Sequence, residues 1–466
     1  MGSLNRSLFV AYCLVFVLVV GTACGSSSSS PSSPSPGGGS SPTPAAKMSD
    51  WVEYHGNHGR AGVAPSTPAI HNPIRAWTST VDGDVYASPL IVNNRVIVAT
   101  ENNTVYSLDL VSGRALWTRH LGAPVNARTL PCGNIQPVTG ITGTPAADPD
   151  SGRLYVVAFL SGYHHMLFTL SLSDGSLLGQ RGVDPAGSNP VVEQERGALA
   201  LGSGYVYVPF GGLLGDCGNY HGYVVGVPVS AGSGGSPLVS YTTPSARESG
   251  IWSSMGPTIS DSGSVFVSTG NGSDSSVFDY SNSVLQLSPQ LRVQSFFAPS
   301  NWRALDAGDV DLGSVGVAVL PSLGVLVSIG KEGVAYLLSA SRLGGVGGQL
   351  AARRVCAGAW GGTAWMGSMV FLPCSDGLVA LSVTSSSMSV AWKASQVHLG
   401  SAIVAAGAVW VIDVDTSTLY ALSPASGAVL FRLGLGASQH FSTGAATEGY
   451  VVEPAGRKVV AIATAP

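Results

Sequence analysis

Eight times along the chain a phrase of small residues leads into a short apolar run, a tight turn and a second apolar run, and this repeat constrains the fold more than any other feature. The opening phrases are Ser88-Pro89, Thr144-Pro145, Gly197-Ala198, Gly256-Pro257, Gly313-Ser314, Gly362-Thr363, Gly400-Ser401 and Thr443-Gly444. A hairpin pattern follows each, as in PLIVNNRVIVAT from Pro89 or AIVAAGAVWVIDV from Ala402. A small twisted sheet cannot bury both faces alone, so short-strand units recurring every forty to sixty residues must stack against their own copies. The expected fold is all-β, an eight-bladed β-propeller with four-stranded antiparallel blades.

The spacers between hairpins supply the outer two strands. The clearest is VYSLDLVSGRALW at residues 105–117, where a strand ends at Asp109, turns on Ser112-Gly113 and returns to Trp117. No segment after the N-terminal region has a sustained helical period. The last unit shows only three strands, whereas Arg75-Ala76-Trp77-Thr78 precedes the first hairpin. Residues 74–80 are therefore expected to form the outer strand of blade eight, closing the ring and leaving no open edge.

Residues 1–23 read as a lipoprotein signal: Arg6, an apolar run at residues 8–20, then Gly21-Thr22-Ala23 before Cys24, the residue expected to carry the lipid. The run is short for a membrane-spanning helix. Plain secretion or an uncleaved anchor are the other readings. Residues 24–48, dominated by Ser, Pro, Gly and Thr, read as a disordered tether, and 49–466 as the propeller. The expected location is extracytoplasmic, with the protein anchored to a membrane by its lipid.

Four cysteines remain in the ring, Cys132, Cys217, Cys356 and Cys374, an even set suited to an oxidising compartment. None has CxxC spacing. Strand order puts all four on one rim and favours Cys132 with Cys217 and Cys356 with Cys374. The net charge of -4, with only 10% charged residues, argues against nucleic acid as a partner. Loops on the cysteine-bearing rim are long, at 120–141, 211–221, 243–255, 270–282 and 298–312, whereas the opposite rim has minimal turns such as Asn93-Asn94 and Ser203-Gly204. Binding groups on a rigid scaffold concentrate in such loops.

The SGRALW turn behind Asp109 resembles the tryptophan-docking repeat of the pyrroloquinoline quinone (PQQ) propellers, eight-bladed in the quinoprotein alcohol dehydrogenases. In that repeat an aspartate ties the turn, a glycine permits it, and the indole packs between blades. The resemblance spans residue 74 to the end and implies the propeller fold. VFVSTGNGS from Val265 is similar to the family's calcium-binding stretch, which implies a metal role for Asn271. SIGKEGVAYLL from Ser328 resembles the strand with the cofactor-contacting base, which implies Lys331. Asp306, Asp309 and Asp311 lie near the family's catalytic aspartate, and Asp311 joins Asn271 as a candidate metal ligand. Ser300 and Asn301 stand where the family has His and Asp, and the adjacent cysteine pair of the alcohol dehydrogenases is absent.

Arg196, Trp252, Trp360, His398 and His440 fall at or just before innermost strands, where side chains can line the axial funnel. With Lys331, the residues Arg196, Trp252, Trp360 and His440 are the candidate cofactor-binding set. Each also has a structural reading: Asn271 suits a turn, Lys331 beside Glu332 a surface pair, the tryptophans packing. No hydrolase signature competes, since HExxH is absent and no helix carries GxSxG. The function expected is a binding or scaffold module for an envelope protein or small ligand at the long-loop face, without assigned catalytic residues. The propeller lipoprotein of the outer-membrane barrel-assembly machinery resembles it in fold. The alternative is a PQQ- and calcium-dependent dehydrogenase of alcohols or sugars.

Overall fold

Blade one shows how the repeat becomes structure. Leu90–Val92 is the innermost strand; Arg95–Ala99, Thr104–Asp109 and Ala115–His120 follow outward, each antiparallel to the last. Asn93 and Asn94 both have positive φ, 52° and 60°, as a two-residue hairpin loop requires. The inner strands are buried on both faces, whereas Ala115–His120 is largely exposed at the outer edge. The computed structural model describes residues 48–65, 69–229 and 236–466, and repeats this four-stranded order in eight sheets. The protein is an eight-bladed β-propeller. The signal, Cys24 and nearly all of the tether lie outside the described residues.

Blade eight takes Ala445–Thr447, Tyr450–Pro454 and Lys458–Ala463 from one end of the chain and Ile74–Thr80 from the other. The joining register runs from Ile74 opposite Ala463 to Thr80 opposite Lys458, which is the closure expected from the sequence.

Neighbouring blades are locked by indoles. Trp77 of blade eight covers Gly113 in the outer turn of blade one and donates through Nε1 to the Leu110 carbonyl at 2.8 Å. Trp117 does the same over Gly175, and Trp392 over Gly427, with bonds of 3.2 and 2.8 Å to the Leu172 and Pro424 carbonyls. A Cβ on any of the three glycines would lie 2.6 Å from a ring carbon, and each glycine has φ near +70°. Asp109 ties its turn by accepting from the Ser112 N–H at 2.8 Å.

The feature with no sequence signal is a strap over residues 49–64 that crosses the axis on the short-turn rim. Ser49 bonds to Glu448 in blade eight, Trp51 exchanges backbone bonds with Ile91 in blade one, and the Val52 carbonyl accepts from Ala147 in blade two. Glu53 accepts from Leu201 of blade three, the His58 carbonyl from Ile259 of blade four, the Ala61 carbonyl from Trp365 of blade six, and Ala64 pairs with Val404 of blade seven. An innermost strand has no neighbour on its axial side, and the strap fills hydrogen-bonding positions there in seven blades. Its tip descends into the axis, where His55 bonds the Thr363 carbonyl and Thr443 Oγ1 at 2.8 and 3.2 Å. Arg60, fully buried, holds the strap shut: it donates to the carbonyls of Tyr54, Leu199 and Pro257 and pairs with Glu53 at 3.2 Å.

On the opposite rim Cys132 is joined to Cys217 and Cys356 to Cys374, the pairs favoured by strand order. The long loop after blade four's outer strand holds the one α-helix among the described residues, Trp302–Ala307.

Candidate functional site

The axis opens on the long-loop rim into a cavity of about 390 Å³. Arg196, Trp252, Asn271, Asp311, Lys331, Trp360 and His440 all line it, so the seven candidate residues come together. Arg196, Trp252, Trp360 and His440 arrive just ahead of the innermost strands of blades three, four, six and eight, while Asn271 and Lys331 follow the second strands of blades four and five. The strap tip lies on the other side of the same layer, since Tyr54 packs against Ala198 and Met255, close in sequence to Arg196 and Trp252. The cavity is thus stopped from below.

One wall is ionic. Lys331 Nζ lies 2.5 Å from Asp311 Oδ2 and 3.0 Å from Asp309 Oδ1, and Asp311 Oδ1 accepts from the Asn271 N–H at 2.7 Å. Burial pushes the Asp311 carboxyl up, against the pull of Lys331. Burial pulls the Lys331 ammonium down, but Asp311 and Asp309 outweigh it and hold it above its usual range. The Asn271 amide points its nitrogen at the aspartates and donates to Asp311 Oδ1 at 2.7 Å and Asp309 Oδ1 at 3.3 Å. Lys331 supplies the positive charge between these carboxylates; without it, Asp309, Asp311 and the Asn271 amide oxygen would offer an oxygen set that suits a hard cation such as calcium. The residues therefore fit calcium on condition that Lys331 gives up its two carboxylates.

The other wall is aromatic and cationic. Trp252 and Phe441 are 6.2 Å apart, with the Arg196 guanidinium 5.6 Å over the Phe441 ring. Arg196 donates to Asn134 Oδ1 and Gln194 Oε1 at 3.3 and 3.2 Å, and among the described residues no carboxylate is within ion-pair reach. A guanidinium with donors to spare beside aromatic faces can take an anionic, flat or apolar-bodied molecule. The lip is formed by Leu213 to Asp216, which Cys217 fastens to Cys132 two residues from Asn134. Tyr220 Oη donates to Asp216 at 2.5 Å, stiffening the same loop.

Asp306 is not part of the cavity. It accepts from the Gly272 N–H, Ser281 and Asn282 at 2.8, 2.9 and 2.9 Å, tying the loop above Asn271, and burial pushes its carboxyl up to about 6. His398 is also outside the lining and bonds to Asp413 at 3.1 Å. Phe441, Asn134, Asp216 and Tyr220 line the site without having been singled out. Phe441 does carry one signal, its place directly after His440 ahead of the final innermost strand.

Residues 75–273 match the family described as outer membrane protein assembly factor BamB. No curated protein matches the chain in sequence. Among solved structures, the quinohemoprotein alcohol dehydrogenase ADHIIG of Pseudomonas putida HK5 is similar over 89% of this chain and 80% of its own, at 12% identity and a TM-score of 0.72. A europium-containing methanol dehydrogenase covers 89% of this chain and 98% of its own, at 12% identity and a TM-score of 0.67. BamB from Moraxella catarrhalis covers 84% and 99%, at 12% identity and a TM-score of 0.59. At such identities the likeness is one of fold.

Proposed function

Since the chain is a PQQ-repeat β-propeller, we propose that it is a lipid-anchored extracytoplasmic binding module whose blind axial cavity takes a small ligand at the long-loop face. The observation that carries this is the cavity itself: a one-ended space lined by Trp252, Trp360 and Phe441, with an Arg196 guanidinium that makes no direct ion pair among the described residues and feels Glu101 only at longer range. Two disulfides around the cavity rim agree with an oxidising compartment. Cys24 supplies the anchor, and an envelope protein docked on the long loops would cover the mouth.

The second reading, a PQQ- and calcium-dependent dehydrogenase of alcohols or sugars, is favoured by the grouping of Trp252, Asn271, Asp309, Asp311 and Lys331 in one cavity. Bound there, PQQ would supply the redox chemistry; Trp252 would offer it a face, Lys331 a cation, and Asn271 with Asp311 oxygen ligands for calcium. The chain has no adjacent cysteines, and Ser300 and Asn301 replace the His and Asp of the resembling enzymes. Both differences favour binding over turnover.

Titration with PQQ, with and without calcium, tests the pair of readings through quenching of tryptophan fluorescence and dye-linked oxidation. Saturable quenching lost in Arg196→Ala, without oxidation, supports the binding module. Stoichiometric uptake with calcium-dependent turnover replaces it with the dehydrogenase. Cys24→Ala should move the protein from the membrane to the soluble fraction; retention on the membrane removes the lipid anchor from the proposal.

A further inference from the structure

We propose that blade seven carries a site for a divalent metal of the zinc type, built from His398, Asp413 and Asp415 and separate from the axial cavity. His398 precedes the innermost strand, Ile403–Ala405; Asp413 ends the second strand, Ala408–Asp413, and Asp415 lies in the turn that leads to the third, Thr418–Leu422. All three therefore meet on the long-loop rim. His398 Nδ1 is 3.1 Å from Asp413 Oδ1 and 3.6 Å from Asp415 Oδ2, and the three ligand atoms all lie within 4.8 Å of one another. Zinc bonds of about 2.0–2.2 Å at tetrahedral angles set neighbouring donors about 3.3–3.5 Å apart. The two imidazole–carboxylate edges bracket that spacing, and Asp415, exposed on its turn, can swing to close the third edge.

Charge sets this cluster apart from the cavity wall. Asp309 and Asp311 have Lys331 between them, whereas among the described residues neither Asp413 nor Asp415 has a Lys or Arg within ion-pair range. A hydrogen-bonded His–Asp pair accounts for Asp413 but not for Asp415, whose carboxylate makes no hydrogen bond among the described residues and still aims an oxygen at Nδ1 from just beyond bonding distance. Asp413 is already oriented: buried, it accepts from the His398 N–H at 3.0 Å and from Thr416 Oγ1, while the Val414 N–H donates to the His398 carbonyl at 3.2 Å. Metal-ligating carboxylates are held in place by such bonds. Oδ1 keeps one lone pair for the His398 N–H and has the other for the ion, and the Nδ1 proton leaves to solvent as the ion binds. One imidazole with two carboxylates suits zinc, whereas calcium and magnesium take oxygen ligands; three protein ligands leave a fourth position for water. Leu399, next to His398, lines the cavity and donates through its N–H to the Cys374 carbonyl at 3.0 Å. A bound ion would thus brace the mouth beside the Cys356–Cys374 bridge, as Cys132–Cys217 braces the Leu213 to Asp216 lip.

The test titrates the full chain, stripped of metal by a chelator and with its disulfides intact, with Zn2+ in a calorimeter and counts the ions retained after dialysis. Saturable uptake of one ion per chain is expected, with a rise in the thermal midpoint as Zn2+ is added. Losing even a group that only supports a metal ligand costs roughly 10–100-fold in affinity, so His398→Gln and Asp415→Asn should each weaken binding by at least that much and abolish the thermal shift. Asp415→Asn, on an exposed turn, decides the question even where His398→Gln does not fold. Asp309→Asn in the cavity and His164→Gln beside Asp184 should bind Zn2+ as the wild type does, and excess Ca2+ should not displace it. Absence of saturable uptake, uptake unchanged in Asp415→Asn, uptake lost instead in Asp309→Asn or His164→Gln, or displacement by Ca2+ would each overturn the site.

Discussion

Replacing Arg60 by leucine keeps much of the volume and removes every bond the guanidinium makes. Three buried carbonyls, those of Tyr54, Leu199 and Pro257, lose donors at 3.0, 2.7 and 3.2 Å, and Glu53 loses its counter-charge at 3.2 Å. Leaving buried acceptors unpaired costs about 1–3 kcal/mol each, offset by no longer burying a guanidinium, and breaking buried pairs costs about 3–5 kcal/mol overall. A loss of about 3–5 kcal/mol is therefore expected, read as a lower urea midpoint by tryptophan fluorescence. The loss should also depend on pH. Burial already pushes the Glu53 carboxyl up to about 7 even with Arg60 beside it, and without that guanidinium it rises further. A carboxyl whose folded value exceeds its unfolded one stabilises the protonated fold, a contribution complete below the unfolded value and lost as pH rises through the folded one. The deficit of Arg60→Leu should thus be smaller at pH 5 than at pH 8, and Glu53→Gln in the same chain should flatten that dependence. A deficit below about 1 kcal/mol, or one identical at both pH values, would refute the lock.

Glu453, buried with no counter-charge among the described residues, is pushed up to about 8, so Glu453→Gln should leave stability near pH 5 almost unchanged and raise it above pH 8, by up to roughly 5 kcal/mol, as urea midpoints at the two values would show. Cys132 and Cys217 are 85 residues apart and Cys356 and Cys374 only 18, so chain entropy predicts a loss of about 4–5 kcal/mol for the Cys132→Ser/Cys217→Ser pair and about 3 for the other; equal losses would argue against an entropic origin. Gly175→Ala and Gly152→Ala share a φ near +70°, but only the first meets an indole, so its thermal midpoint should fall clearly further; matching falls would show that Trp117 is not a lock.

Much of the ring was readable because its strands are short, apolar and punctuated. Two short continuous apolar runs, at 90–92 and 96–99, on either side of two turn asparagines leave a hairpin as the simplest reading, and Trp77 ahead of the first hairpin marks the strand that blade eight lacks. The cavity residues were readable for the same reason: a side chain just ahead of an innermost strand has the axis before it, whatever its chemistry. Among Asp306, Asp309 and Asp311 the sequence reading took Asp311 as the metal candidate but had no signal for the part of the others, because a short helix, Trp302–Ala307, turns Asp306 toward its own loop and leaves Asp309 and Asp311 to Lys331. The strap was invisible because its residues have no period of their own. Trp51, Glu53, His55 and Arg60 acquire partners only when seven blades already surround them.

The closing pair of Ile74–Thr80 with Lys458–Ala463 also sets a timetable. A strand needed from the start of the ring has its partner nearly at the other end, so no order of synthesis or secretion can complete blade eight until the final strand has emerged. Until then the hydrophobic faces of blades one and seven, which pack together with blade eight in one cluster, stay uncovered. Contacts this distant in sequence form slowly, and the half-built ring is the species most exposed to aggregation and proteolysis. Loss of only the last strand should consequently be felt as failure of the whole ring to mature.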